Sequence, residues 1–340
     1  MALDNVTLGV GILYLLVSSS GIVMNMLTAS TFIVRKEFRR SPVYLWMAGI
    51  ALADILMLIP IGSYAGVRLI TNNPGSDALE QAIIMCNSGW YMTLGLFAGL
   101  NLDRYFVICF PPEHFLSRLA HSRKAAVGIM LTNVVGVLCY TFTIPLFVDG
   151  FHNPPGVNKI FGFYDYYMIQ TFKMTHPRAM LVLVVVVGYN ALTWLIDIVC
   201  IIAVLRKIRK VKAQVEATDE ARAGEAGAND GNDNTAWKKQ VGVFIQTAVP
   251  TVVNIVAAAL ALYVSSFLIG FGHINIEARW PTVVVHLTWI FNHCCNPIFY
   301  AIFNKELHKI WFRPCYEKSE LNSTLGPSST RATGKHSARI

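Results

Sequence analysis

Residues 43–67 read VYLWMAGIALADILMLIPIGSYAGV, a run whose one ionisable group is Asp54. A bilayer core about 30 Å thick is crossed by about 20 apolar residues in helical form. The run is long enough to span, and a carboxylate within it is costly and marks a functional position. Working outward, six more stretches have this character. Residues 8–34, 125–148 and 241–271 carry no charge. Residues 83–110 are apolar except for Asp103-Arg104 near the end, and 179–205 carry only Asp197. Residues 280–303 are uncharged if His286 and His293 are neutral. None alternates apolar and polar residues as a membrane-barrel strand does. The fold expected is all-α: a seven-transmembrane helix bundle over 8–303. Residues 1–7 precede it, 304–315 form a short amphipathic eighth helix, and 316–340 form a disordered tail.

The composition agrees. Of 340 residues 54% are hydrophobic and 14% charged, with a mean hydropathy of +0.48. A soluble domain averages about 25% charged residues, and a disordered chain would be polar and charge-rich. The net charge of +8 fits either nucleic acid or a membrane protein with basic cytoplasmic loops, and placement decides between them. The stretches after the first, third, fifth and seventh spans, together with the tail, hold 22 of the 28 Lys and Arg residues. The positive-inside rule then puts the N-terminus outside and the tail in the cytosol, and no nucleic-acid partner is expected. Asn5-Val6-Thr7 is a glycosylation sequon on the outer side. The first span is too long for a cleavable signal peptide and reads as a signal anchor. Two loops are long, 149–178 outside and 206–240 inside. The Gly/Asn/Asp-rich segment 224–234 of the inner one is expected to be disordered. No internal repeat of the kind that builds many transporters is visible.

The polar residues inside the spans carry the next step. They are Asn25, Asp54, Asp103-Arg104, Asp197 and Asn296, the last followed by Pro297-Ile298-Phe299-Tyr300. The chain resembles a rhodopsin-like G-protein-coupled receptor on these residues. Asp103-Arg104-Tyr105 with Ile108 and Pro111 looks like that family's D-R-Y-x-x-I-x-x-P segment. Asn296-Pro297-x-x-Tyr300 looks like its N-P-x-x-Y, Ala53-Asp54 like its second-helix aspartate, and Asn25 like its first-helix asparagine. The resemblance implies a receptor for an extracellular ligand at the plasma membrane, coupled to a heterotrimeric G protein and open to arrestin. It implies no enzyme, and no catalytic constellation is seen. The activation switch would comprise Asp103, Arg104, Tyr105, Asn296, Pro297, Tyr300 and the sixth-span kink at Pro250. On activation Arg104 would leave Asp103 to meet the G protein, and Tyr300 would turn inward. No cofactor is expected, except that the resemblance also implies an allosteric Na+ on Asp54, Thr93, Asn292 and Asn296, whose oxygens suit a hard cation. A water-filled hydrogen-bond cluster is the alternative. Asp197 is either protonated or reaching cytoplasmic water, or a resting partner for Arg104.

Several family marks are absent. The loop 149–178 has no cysteine and the matching third-span position falls near Leu79, so the usual extracellular disulfide is missing. The fourth span lacks its tryptophan, the fifth its proline, and Ala248 stands where the sixth-span toggle tryptophan would be, although Pro250 remains. The sixth and seventh spans resemble nematode serpentine chemoreceptors of the Srx class, through Lys239-Gln240, Gln246-Thr247, Pro250, Trp289, His293 and Phe303-Asn304-Lys305-Glu306. A ligand pocket projected by helical turns takes Tyr64 and Arg68, then Cys86, Asn87 and Trp90, then Thr251 and Asn254, then His286 and Trp289. Arg68 and His286 would suit an anionic ligand, although Arg68 also fits the headgroup region and Trp289 the lipid face. Cys86 stands where amine receptors have an aspartate, which disfavours an amine. The seventh span has no lysine for a retinal Schiff base. In 304–312, Leu307, Ile310 and Trp311 oppose Lys305, His308 and Lys309, so this helix would lie on the inner leaflet. Cys315 beyond it is a candidate for palmitoylation. The competing function is a seven-helix transporter or channel using Asp54 and Asp197.

Overall fold

The computed structural model describes residues 5–72, 86, 88–147, 161–164, 167–170, 177–222, 231–262 and 279–311. Seven long helices run through these residues. The first is Asn5–Val34, followed by the short helix Lys36–Arg39. The second span starts at Pro42 behind an extended Ser41; a proline suits a first helical position, whose N–H has no intrahelical partner. It runs through Pro42–Leu58, a π-helical stretch at Ile59–Tyr64 and Ala65–Thr71, and stops at Asn72 in the left-handed conformation, φ 49°. The third span is Ser88–Cys109, preceded by a turn at Cys86. Helix Phe115–Ala120, whose Leu116 N–H donates to His114 Nδ1 at 3.2 Å, leads into the fourth, Arg123–Phe147. The fifth is Pro177–Arg222, the sixth Gly231–Leu262 and the seventh Arg279–Phe303, with a further helix over 305–311.

Three features depart from the sequence expectation. The fifth helix continues past residue 205 to Arg222, and its 46 residues reach roughly 70 Å at 1.5 Å per residue, more than twice a bilayer core. The sixth begins at Gly231, so residues 231–234 are helical rather than disordered; 224–230 lie outside the described residues. The long outer loop contains a hairpin. Strand β1 (Phe161–Tyr164) pairs antiparallel with β2 (Tyr167–Gln170), in register Phe161 to Gln170, and β2 lies near the π-helical turn and the seventh helix.

The bundle is apolar outside and polar inside. Leu16, Val23, Leu131, Val184 and Val256 are exposed, whereas Asn25, Asp54, Asn101, Asp197, His293 and Asn296 are buried. Five of the helices are apolar and long enough to cross a membrane by length and composition alone. Ser88–Cys109 and Arg279–Phe303 are not in that set, and they carry much of the interior polarity. The second span is central, packing on the first, third and seventh. Trp46, Met47, Ile50, Met57, Leu58 and Ile61 are fully buried along it. The first and second spans meet through small residues. A Cβ on Gly66 would lie 2.7 Å from the carbonyl oxygen of Gly11, and a Cβ on Gly11 2.9 Å from that of Gly66. Such close backbone approach supplies the dispersion contacts that associate helices in lipid.

Over-packing this contact costs about 1–3 kcal/mol. Gly66→Leu is expected to lower the melting temperature of the detergent-solubilised protein in a thermal-shift assay. Gly128→Leu, where an added Cβ meets nothing within 4 Å, is expected not to lower it.

Candidate functional site

The site is built around Asp54, which is fully buried on the second span. Its Oδ1 accepts a hydrogen bond from His293 Nδ1 at 2.7 Å and one from Thr93 Oγ1 at 3.2 Å. Its Oδ2 accepts one from Asn296 Nδ2 at 2.6 Å. Thr93 and Asn296 thus sit where the sodium reading places them, but the donor set is wrong for that ion. His293 and Asn296 point N–H groups at the carboxylate, where a hard cation needs oxygens. Both side-chain polar atoms of Asn292 are buried with no hydrogen-bond partner among the described residues. His293, rather than Asn292, is the group that joins Asn296 on Asp54 from the seventh span. Helical spacing is why the expectation missed it: Asn292 and His293 stand four and three residues before Asn296, and both offsets lie on the same face.

The same level of the bundle includes the seventh-span hinge. Pro297 has no N–H to give to the carbonyl four residues earlier, that of His293. Asn25 Nδ2 of the first span donates to that oxygen at 2.9 Å and to Gly21 O at 3.0 Å. One turn further, Tyr300 is fully buried against Phe32, ring centroids 6.1 Å apart, and its hydroxyl has no hydrogen-bond partner among the described residues. At the helix end Gln246 Nε2 of the sixth span donates to Phe303 O at 2.8 Å. Asn304 Oδ1 caps the 305–311 helix by accepting from Glu306 N and Leu307 N, each at 3.1 Å, and Asn304 Nδ2 donates to Tyr44 Oη at 3.3 Å. Leu307 is fully buried and Lys305 and Lys309 are exposed, as an amphipathic helix requires.

On the third span Arg104 and Asp103 are both buried and paired to each other, with Arg104 Nε donating to Asp103 Oδ2 at 2.9 Å. Tyr105 lies beside them, half-buried. Asp197 is not the partner of Arg104. It accepts from Asn101 Nδ2 at 2.8 Å, one turn away, and Asn101 also donates to Thr251 Oγ1 at 3.0 Å. This cluster ties the third, fifth and sixth spans in the middle of the bundle, one turn before Arg104. Thr251 therefore belongs to it and not to an outer pocket. Pro250, beside it, is buried in the sixth span. Below lies an apolar cluster of Ile108, Ile201, Val204 and Phe244, with Ala248 packed against it in place of a tryptophan.

Of the projected ligand residues, the structure brings Trp90 and Trp289 together edge to face, centroids 5.5 Å apart. Trp90 also meets the ring of His293 at 5.9 Å. Asn254 is buried, and its Nδ2 has no partner among the described residues. Tyr64, Arg68 and Cys86 are half-buried. His286 is displaced from the pocket: it stacks on Tyr14 at 4.7 Å and its Nε2 is hydrogen-bonded to the carbonyl of Ile61 in the π-helical turn. It is not placed to pair with an anionic ligand. Asn87 and Cys315 lie outside the described residues, and Asn5 is exposed at the start of the first helix. Cys109, Cys139, Cys200, Cys294 and Cys295 are free thiols.

The family described as 7 transmembrane receptor (rhodopsin family) matches residues 24–300. Among curated proteins, Proteinase-activated receptor 2 of Rattus norvegicus is 29% identical over 140 residues, 40% of this chain and 33% of that protein. The Mus musculus counterpart is 27% identical over 139 residues, with the same coverage. The chain thus matches about a third of the length of these relatives. The crystal structure of squid rhodopsin superposes with a TM-score of 0.69 over 92% of this chain and 81% of that one, at 14% identity, which is a likeness of fold.

The donor set on Asp54 predicts insensitivity to sodium. The melting temperature of the purified protein is expected to be the same in NaCl and in N-methylglucamine chloride. His293→Ala, which frees Asp54 Oδ1 of its nitrogen neighbour, is expected to become more stable in NaCl. Sodium stabilisation of the unmodified protein would overturn this assignment.

Proposed function

This chain belongs to the rhodopsin family of seven-transmembrane receptors, and we propose that it binds an extracellular ligand and in response activates a heterotrimeric G protein. One observation carries the reading. Trp90, which pairs with Trp289 on the side away from the basic loops, touches His293. His293 holds Asp54, Asp54 holds Asn296, and the next residues are the Pro297 hinge and Tyr300. The contacts run without a break from this aromatic pair to the seventh-span hinge. A ligand displacing the tryptophans changes what His293 can hold. The family match leaves the transporter or channel alternative without support.

The resting state is held by pairs that must part for the basic end to open. They are Arg104 with Asp103, Gln246 with Phe303 O, and Asn101 with Asp197 and Thr251. Tyr300 favours movement, since a buried hydroxyl without a partner costs about 1–3 kcal/mol and an inward turn would relieve it. A ligand need only bind one of the two arrangements better to shift the balance. The basic loops support an orientation with the N-terminus outside and the tail in the cytosol of the plasma membrane. The sequon at Asn5 supports glycosylation there. Cys315 just past the amphipathic helix supports palmitoylation, and the Ser/Thr-rich tail from Glu320 supports arrestin recruitment. The Trp90–Trp289 pair supports a neutral small molecule or a peptide as the ligand, a chemosensory cue among them.

Guanine-nucleotide exchange on a panel of purified G proteins tests the proposal. Arg104→Ala is expected to abolish receptor-dependent exchange. Asn101→Ala, which removes the donor to both Asp197 and Thr251, is expected to raise basal exchange several-fold, since losing about 1 kcal/mol of resting-state hydrogen bonding shifts a two-state balance about fivefold. Absence of exchange with every G protein, with and without Asn101→Ala, would overturn it.

A further inference from the structure

Three polar side chains around the Trp90–His293 contact are buried and only partly satisfied. Asn254, Asn292 and His293 are 2%, 3% and 0% exposed. Among the described residues nothing meets Asn254 Nδ2, His293 Nε2 or either side-chain polar atom of Asn292. Buried polar atoms in proteins are nearly always hydrogen-bonded, so such a set is suited to meet a further polar group. The three lie close in depth. The sixth and seventh spans run antiparallel and pack together, and the bond from Gln246 to Phe303 O fixes their register. At 1.5 Å per residue Asn254 stands about 12 Å and Asn292 about 16 Å from that bond, both away from the basic loops and within one helical turn of each other. His293 follows Asn292 and meets the ring of Trp90 at 5.9 Å. Ala258 lies one turn beyond Asn254 on the same helix face. It belongs to the apolar cluster that includes Trp90 and against which Trp289 packs, and it brings only a methyl group there.

We propose that Asn254, Asn292 and His293 form the polar floor of the ligand site at Trp90 and Trp289, and that they receive the primary carboxamide of an uncharged aromatic ligand. The inference rests on the reading of that aromatic pair as the ligand site. The hydrogen-bonding inventory selects the group. His293 gives its Nδ1 proton to Asp54, which leaves Nε2 of the neutral ring as an acceptor. Asn292 Oδ1 is a second acceptor, and Asn254 Nδ2 and Asn292 Nδ2 are donors. A primary carboxamide is complementary in number and kind, since its oxygen accepts twice and its NH2 donates twice. A carboxylate has no proton for Nε2 or Oδ1. It would also add a like charge near Asp54, whose own oxygens already accept three hydrogen bonds. An ammonium has nothing with which to accept from the two asparagine donors. An aromatic body suits the neighbouring indoles, which pack edge to face or offset with other rings. An amide N–H on Nε2 would touch the imidazole that holds Asp54, so the ligand would lie one side chain from the switch.

The test is titration of 2-phenylacetamide onto the full-length protein in nanodiscs, read by saturation-transfer NMR with empty nanodiscs as the blank. It reads no signalling, so its failure is distinct from failure of the G-protein proposal. Phenylacetate, phenethylamine and N,N-dimethyl-2-phenylacetamide carry the same ring; the last keeps the acceptor and loses both donors. The primary amide is expected to bind roughly tenfold more tightly than each of them, a difference of about 1.4 kcal/mol. Asn254→Ala removes one hydrogen bond without filling the site, and is expected to weaken amide binding about fivefold. Asn292→Ala removes two and is expected to weaken it about 25-fold. A thermal-shift measurement on each variant checks that it is folded, and the comparison of probes on the unmodified protein stands without the variants. Equal affinity for the amide and its dimethyl derivative, unchanged binding in both alanine variants, or no binding above the blank, with internal water alone serving these atoms, would overturn the inference.

Discussion

The carboxylate of Asp54 is fully buried in a helix surrounded by lipid-facing apolar residues, and the remaining helices are arranged to satisfy it. A polar group in hydrocarbon without a partner is strongly unfavourable, and a charge more so. Its two oxygens draw in Thr93 from the third span and His293 and Asn296 from the seventh. His293 passes the constraint on, because its carbonyl, freed by Pro297, takes a hydrogen bond from Asn25 of the first span. Four of the seven spans are therefore positioned by one side chain. The close backbone contact at Gly11 and Gly66 seats the first span deeply enough for Asn25 to reach.

The fifth and sixth spans are held differently. The third, fifth and sixth meet at Asn101, Asp197 and Thr251, and below this at a small apolar cluster around Phe244. Between the sixth and seventh the described side-chain hydrogen bond is that of Gln246 to Phe303 O. The bundle thus has a strongly tied part, spans one, two, three and seven, and a lightly tied one, spans five and six at the basic end. Movement is expected in the lightly tied part, where fewer hydrogen bonds must break. Its joint with the rest is the third span, which carries Arg104.

Much of this was legible in the sequence, and the failures share a cause. Hydropathy locates each span along the membrane normal, so the depth of Asp54, Arg104, Asp197 and Asn296 was readable. It says little about rotation about the helix axis. Asn292 and His293 differ by one residue and about 100° of rotation, and the histidine faces Asp54. Asp197 is near enough in depth to Arg104 to suggest pairing, yet it faces Asn101 one turn away. The π-helical turn at Ile59–Tyr64 adds a second difficulty. A wide turn resets the phase of everything beyond it, so the facing of Tyr64 and Arg68 cannot be projected from Asp54. It also presents the Ile61 carbonyl that holds His286 out of the pocket. The tryptophan that the family pattern places in the sixth span is missing, and Ala248 in its place packs against Ile108, Ile201, Val204 and Phe244.

The hydrogen bond from Asn25 to the carbonyl of His293 joins residues 268 positions apart. During synthesis the first, second and third spans enter the membrane long before the seventh exists. Until then Asp54 has Thr93 and Asn25 has Gly21 O, and their remaining partners arrive only with the seventh span. A chain arrested before that span would leave these polar groups only partly satisfied at the helix–helix surface, where such groups are costly. Completion of the bundle thus depends on the last span to be made.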